Sequence, residues 1–498
     1  MSVHDGGRGG AVGDLGTFRG ELHGCLTARG DALFELVDAV LCADGPVRSL
    51  PALSLVAEHR RGHGALYDAL AAGRVDVGRL RSALVSAPMP RAADGRIVLA
   101  VDVTCWLRPE AHSSPERILC HTAGRSKGEH VGVPGWPYSF VVALETGRSS
   151  WTAPLDAVRL VPGADLSAVT ARQVRDVVAG LVAAGHRQSG DPDIWIVMDA
   201  GYDAARLAWL LRDLPVRVLA RLRSDRVLRR AAPARLPGEL GRPRRHGGEF
   251  IFGDPASWDT PDTPDVTTTT ETRLYGTATA RAWHRLHPRL TRRAAWADCP
   301  DLPILPGTLI RLDVARLPSG ATAKPVWLWY SASIGDDSGD SGHDPDAALV
   351  DLLWQAFLRR FDIEHTFRLL KQTLGWTVPK LRDPHAADRW TWLIIAAYTQ
   401  LRLARPLAAD LRRPWEKPAA PQRLTPARVR RGFRHLRTTT VCPASAPKSS
   451  RPGPGRPRGR PNRHPTRRHD VHTVTSNDTA KTNPKKKKPT DPRPRRTG

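Results

Sequence analysis

The spacing of apolar and polar positions changes several times along the chain. Leu33, Leu36, Val37, Val40 and Leu41 recur at three- and four-residue steps, 53–70 shows similar steps broken by Gly62 and Gly64, and 77–84 repeats them. This predicts a helical N-terminal domain over 1–90. The helices around His63 and Gly64 suit either a helix-turn-helix reader of DNA or a structural bundle. Over 91–222 the period shifts to buried strands. A run at 96–101 ends on Asp102, strands follow at 138–144 and 151–160, and a helix spans 167–184. A second buried strand, 194–198, ends on Asp199, followed by a helix at 204–214 and a strand at 216–222. From 223 to 330 Pro, Gly, Thr and aromatics dominate, which predicts a β-rich insertion. An acidic, Gly-rich loop at 331–346 leads into a long helical pattern at 347–374 and an apolar helix at 390–403, completing a segment over 331–410. The stretch 411–442 reads as a basic linker.

Composition sharpens this picture at the C-terminus. The 498 residues hold 75 Lys and Arg against 50 Asp and Glu, a net charge of +25, yet 41% are hydrophobic and 15 are Trp. A chain of this size and content buries a large core, so a folded protein carries the charge. Over 443–498 large apolar residues almost vanish, and sixteen Lys and Arg face three Asp. That stretch is expected to be a disordered basic tail holding +13 of the +25. Within it Arg458-Gly459-Arg460-Pro461 resembles the AT-hook core, whose arginines lie along a narrow A·T minor groove. A basic excess favours a polyanion, most often nucleic acid.

Other classes drop out. The six cysteines are scattered without a C-x-x-C pair, so no zinc finger or disulfide framework is supported, and a cytoplasmic location is expected. The Gly-rich first twenty residues contain Asp5 and Asp14 and do not read as a signal peptide; no apolar run is long enough to span a bilayer.

Two buried strands that end on aspartates are unusual, because a carboxylate at a core edge is costly unless it is paired or holds a metal. Helix capping is the ordinary alternative. For Asp199 it is serious, although Asp203 looks the better cap; Asp102 is followed by Val103-Thr104-Cys105-Trp106, which does not start a helix. A third acid adds weight. Phe357, Arg360, Glu364 and Lys371 are spaced to share one helical face, so an acid stands between two cations.

These residues resemble the signature Y-x2-R-x3-E-x6-K of a bacterial insertion-sequence group within the DDE transposases, an RNase H-like family. Three of the four positions match, and Phe357 stands where the family has Tyr, keeping the ring without its hydroxyl. The strand and helix order agrees over about 91–403. The resemblance implies an α/β fold: an RNase H-like catalytic core of mixed sheet flanked by helices, with the β-rich insertion, helical N-terminal domain and basic tail attached.

It also implies that the first and fourth strands lie side by side, bringing Asp102 and Asp199 together, with Glu364 completing a site for two Mg²⁺ or Mn²⁺ ions. Arg360 and Lys371 would contact DNA phosphates, as Arg458 and Arg460 would in the tail. Tryptophans 258, 283, 296, 327 and 329 of the insertion could stack on bases, although aromatics in β-strands more often fill a core. The expected function is cut-and-paste transposition of an insertion sequence. The protein would act as a homodimer on double-stranded DNA at terminal inverted repeats and target, in the bacterial cytoplasm at the nucleoid. Two rivals are a nuclease that only hydrolyses and a domesticated, catalytically silent DNA-binding protein.

Overall fold

Capping acids and alternating apolar runs set the element order in the computed structural model, which describes residues 3–123, 130–147, 149–235, 237–258, 264–293, 296–297, 299, 301–333, 345–448 and 466–472. The N-terminal part contains α1 (Val3–Cys25), β1 (Leu26–Ala28), α2 (Gly30–Cys42), α3 (Leu50–Leu53), α4 (His63–Ala72), β2 (Arg74–Val75) and α5 (Val77–Ser86). There follow β3 (Val98–Leu107), β4 (Ile118–Ala123), β5 (His130–Leu144), β6 (Thr152–Arg159), α6 (Leu166–Ala183), β7 (Ile194–Met198), α7 (Ala204–Leu210) and β8 (Val216–Leu222). Next come β9 (Val227–Arg229), β10 (Glu249–Ile251), β11 (Val266–Thr272), β12 (Gly276–Pro288), β13 (Gly307–Val314) and β14 (Val326–Tyr330). The helices α8 (Pro345–Arg359), α9 (Asp362–Gln372), α10 (Pro384–Ala404) and α11 (Pro426–Thr438) complete the order. Asp76, Asp165, Asp203 and Asp383 each accept a backbone N–H at a helix start, so α5, α6, α7 and α10 begin where a side chain satisfies an orphan donor.

Among the described residues twelve strands form one mixed sheet, in the order β10-β9-β12-β13-β14-β8-β7-β3-β5-β4, with β11 on β12 and β6 on β5. The strands β3, β7 and β8 are mutually parallel neighbours, whereas the remaining pairs are antiparallel. Alternation along β3 divides the core into two layers. Val98 and Ala100 join a cluster with α8, α9, α10 and the N-terminal helices; Leu99 and Val101 join one with α6, α7 and the insertion aromatics. Among the described residues no helix is long and apolar enough to cross a membrane.

Several expectations change. The β-rich insertion joins the core sheet, because β14 pairs with β8 from Trp327↔Leu222 to Tyr330↔Leu219. The pattern over 347–374 is two helices. Phe361 donates to Leu358 O at 3.3 Å and Glu364 to Phe361 O at 3.1 Å, tight three-residue bonds that break the α-helical ladder around Arg360. Asp102 does not end its strand: β3 runs on to Leu107 because Val103 to Leu107 pair with Ser139 to Gly135 of β5. The expected basic linker 411–442 contains α11, which is docked on α2 and α10. Val429 and Phe433 of α11 are buried, and Arg430 donates to Val40 O and Gly45 O beyond the end of α2.

The expected disordered tail is also partly ordered. Residues 466–472 lie against β4, with His472 N–H donating to Arg117 O and Leu119 N–H donating to His472 O. Arg117, 1% exposed, spends its donors on three carbonyls, including His469 O at 3.2 Å. The AT-hook-like Arg458 and Arg460 and most of the acidic loop lie outside the described residues.

Candidate active site

The parallel register sets the site. Val98 pairs with Trp195, Leu99 with Ile196 and Ala100 with Val197, a constant offset of 97 positions. Asp102 and Asp199 have this same offset, so they stand at one level where β7 gives way to its loop. Alternation puts Asp102 on the face of Val98 and Ala100, beneath α8 and α9.

Capping does not account for Asp199. Asp203 Oδ1 accepts the Arg206 N–H at the start of α7, whereas Asp199 Oδ1 accepts only the adjacent Ala200 N–H, at 2.8 Å. Asp102 Oδ1 likewise accepts the Val103 N–H at 2.8 Å. The outer oxygens meet Arg360: its Nη1 is 3.0 Å from Asp102 Oδ2 and its Nη2 is 3.4 Å from Asp199 Oδ2. Arg221, beside Asp199 because Met198 pairs with Ala220, approaches Asp199 Oδ1 at 3.7 Å.

Burial pushes the Asp102 carboxyl up to about 7; Arg360 opposes this, while Glu364 and Asp199 add to it. Glu364, half-buried, lies one turn beyond Arg360 in α9. Thus the break between α8 and α9 keeps Arg360 above both aspartates with the third acid close behind. Phe357, 8% exposed, has its ring 5.9 Å from the Arg360 guanidinium.

Lys371 lies deeper. Its Nζ is 5.8 Å from the Trp376 ring, and burial lowers its pKa against the opposing influence of Cys105 and Glu364. Asp362 points away and pairs with Arg359 at 3.1 Å. Trp258, Trp283, Trp327 and Trp329 are buried, and the first three pack with Phe250 and Phe252 in a core cluster, Phe252 stacked 4.4 Å from Trp327. These four rings therefore fill the insertion's interior. Arg221 was not apparent from the sequence as a site residue; its signal is the end of a strand beside the one that carries Asp199.

Residues 21–289 match the family model described as DDE superfamily endonuclease. The chain belongs to that superfamily. The matched stretch includes Asp102 and Asp199 and stops before Glu364. No curated protein gives a significant match. A DDE endonuclease cleaves DNA, and the superfamily generally uses divalent metals such as Mg²⁺.

Among the described residues of this DDE endonuclease, no three His, Cys, Asp or Glu side chains are gathered closely enough to hold a metal ion. The donor chemistry nonetheless fits a hard divalent cation. Two carboxylates face each other at one level, both already draw a cationic group, and the burial that disfavours Asp102's charge would be offset by a cation.

Proposed function

We propose that this DDE endonuclease is a transposase that cuts an insertion sequence at its terminal inverted repeats and joins the 3′ ends to target DNA. The supporting observation is the matched level of Asp102 and Asp199 on paired parallel strands, bridged by Arg360, with Glu364 one turn away. The parallel pairing of β3 with β7, across the three strands between them in sequence, also suits an RNase H-like reading, and a homodimer acting within the nucleoid completes it.

In this proposal Asp102, Asp199 and Glu364 hold two Mg²⁺ or Mn²⁺ ions. When bound, the ions supply activation of water or a 3′-OH and stabilisation of the leaving oxygen. Arg360 exchanges its carboxylate partners for a DNA phosphate, to which its planar fork is equally suited. Lys371 places a second positive charge behind Glu364, and Phe357 supports the Arg360 guanidinium through its ring face. Arg458 and Arg460 of the tail add minor-groove contacts.

Labelled end DNA, purified protein and Mg²⁺ test the proposal. Joined products are expected. Asp199→Asn should slow cleavage at least about a hundredfold, the loss of several kcal/mol of charge stabilisation, and leave end binding intact. Hydrolysis without joining would identify a simple nuclease, and binding without cleavage a silent DNA-binding protein.

A further inference from the structure

Beside Asp199, on the side away from Asp102, a cleft of about 400 Å³ opens between the loop that follows β7 and the first turn of the insertion. Its outer wall is arginine-rich, and strand pairing explains why. Arg221 is the residue of β8 next to Asp199. The chain then turns, with Arg226 N–H donating to Arg223 O at 3.2 Å, so Arg223 and Arg226 flank a tight reversal into β9. The β9–β12 register, Leu228 opposite Pro288, brings the chain after β12 to the same cleft, which Arg289 lines together with Arg226.

The four arginines are exposed and line one cleft with the loop that follows Asp199. The acids on the facing wall are already engaged. Asp165 holds Arg206 at 2.6 Å and Asp203 caps α7. Arg223 pairs with Asp225 at 3.6 Å, whereas Arg226 and Arg289 have no carboxylate partner among the described residues. Arginines placed side by side without acids repel one another, a cost that a chain of phosphates reverses. The volume is that of a small-ligand site, which suits a single backbone entering the cleft.

We propose that this cleft binds the backbone of a single DNA strand leaving the cleavage site, with Arg226 and Arg289 each holding a phosphate. The inference rests on Asp199 belonging to the cleavage site, but its test does not use cleavage. Full-length protein is titrated in EDTA with a short labelled single strand and, separately, with a blunt duplex, over a range of salt.

For Arg226→Gln/Arg289→Gln, the slope of log K against log salt on the single strand should flatten by about 1.4, and by about 0.7 for each single variant. The slope on the blunt duplex should not change. Arg226→Lys/Arg289→Lys, which keeps both charges, should retain the wild-type slope. An unchanged single-strand slope would overturn the proposal. So would an equal loss on both DNAs, which would assign the arginines to a duplex surface. If Mg²⁺-dependent cleavage fails while these slopes change as expected, the catalytic reading falls and the cleft remains.

Discussion

Asp102 connects burial to metal chemistry. With its carboxyl pushed up to about 7 by burial, it is mostly protonated below that pH and ionised above it. A divalent ion needing this oxygen competes with the proton, so affinity should rise with pH, by about tenfold per unit, and level off above about 7. Calorimetric titration with Mg²⁺ one unit either side of that value checks this; the tighter binding belongs on the alkaline side, and Asp102→Asn should remove the slope. At this scale the sequence was informative about the two aspartates, because apolar strands that lead to an acid are rare. It hid the state of Arg360. Nothing between Phe357 and Glu364 is Pro or Gly, so the spacing reads as one helix, and the break that suspends Arg360 over both carboxylates arises from tertiary packing.

Helix α11 shows how charge can conceal an element. Its five arginines made 411–442 look like a linker, although Val429, Phe433 and Leu436 keep helical spacing. Three of those arginines lock it to the N-terminal helices. Arg430 donates to the carbonyls near the end of α2, Arg434 pairs with Glu58 at 3.0 Å, and Arg437 pairs with Asp38 at 2.8 Å. Asp38 is fully buried and also holds Arg19, itself 0% exposed, at 2.7 Å. Asp38→Ala should therefore lower stability by about 3–5 kcal/mol in urea unfolding, since it strands buried guanidinium charge. Replacing the pair together, with Arg19→Met and Asp38→Leu, should recover much of that loss. The apolar periodicity of α2 was legible because its core-facing residues repeat every three or four positions. Its ionic partners were not, since Arg19, Asp38, Gln400 and Arg437 are far apart in sequence.

At the scale of the whole molecule, the tail combines a basic charge with a seat on the fold. Its charge was plain from composition, but the seat of 466–472 on β4 was not, because Arg467, Arg468 and Asp470 carry no apolar alternation. Backbone hydrogen bonds and the Arg117 guanidinium on His469 O hold the segment. Removing 473–498 should leave the β4 edge covered and the protein monodisperse. Removing 443–498 should uncover that edge, take a carbonyl from buried Arg117 and raise light scattering on warming. The reverse ranking would show that 466–472 contributes nothing to the fold.

The insertion was read from the sequence as a separate unit, but the ladder from β14 to β8 passes into the core without a seam. Such a ladder is stiff in the direction of its hydrogen bonds. Arg221 of β8, Asp102 of β3 and Asp199 at the end of β7 therefore belong to a single plate, like a jaw and its anvil cast in one piece. The short elbow between α8 and α9, where the ladder of helical bonds is interrupted, lies outside that plate. Strand pairing thus fixes the two aspartates, whereas Glu364 is carried by the helix that follows the elbow.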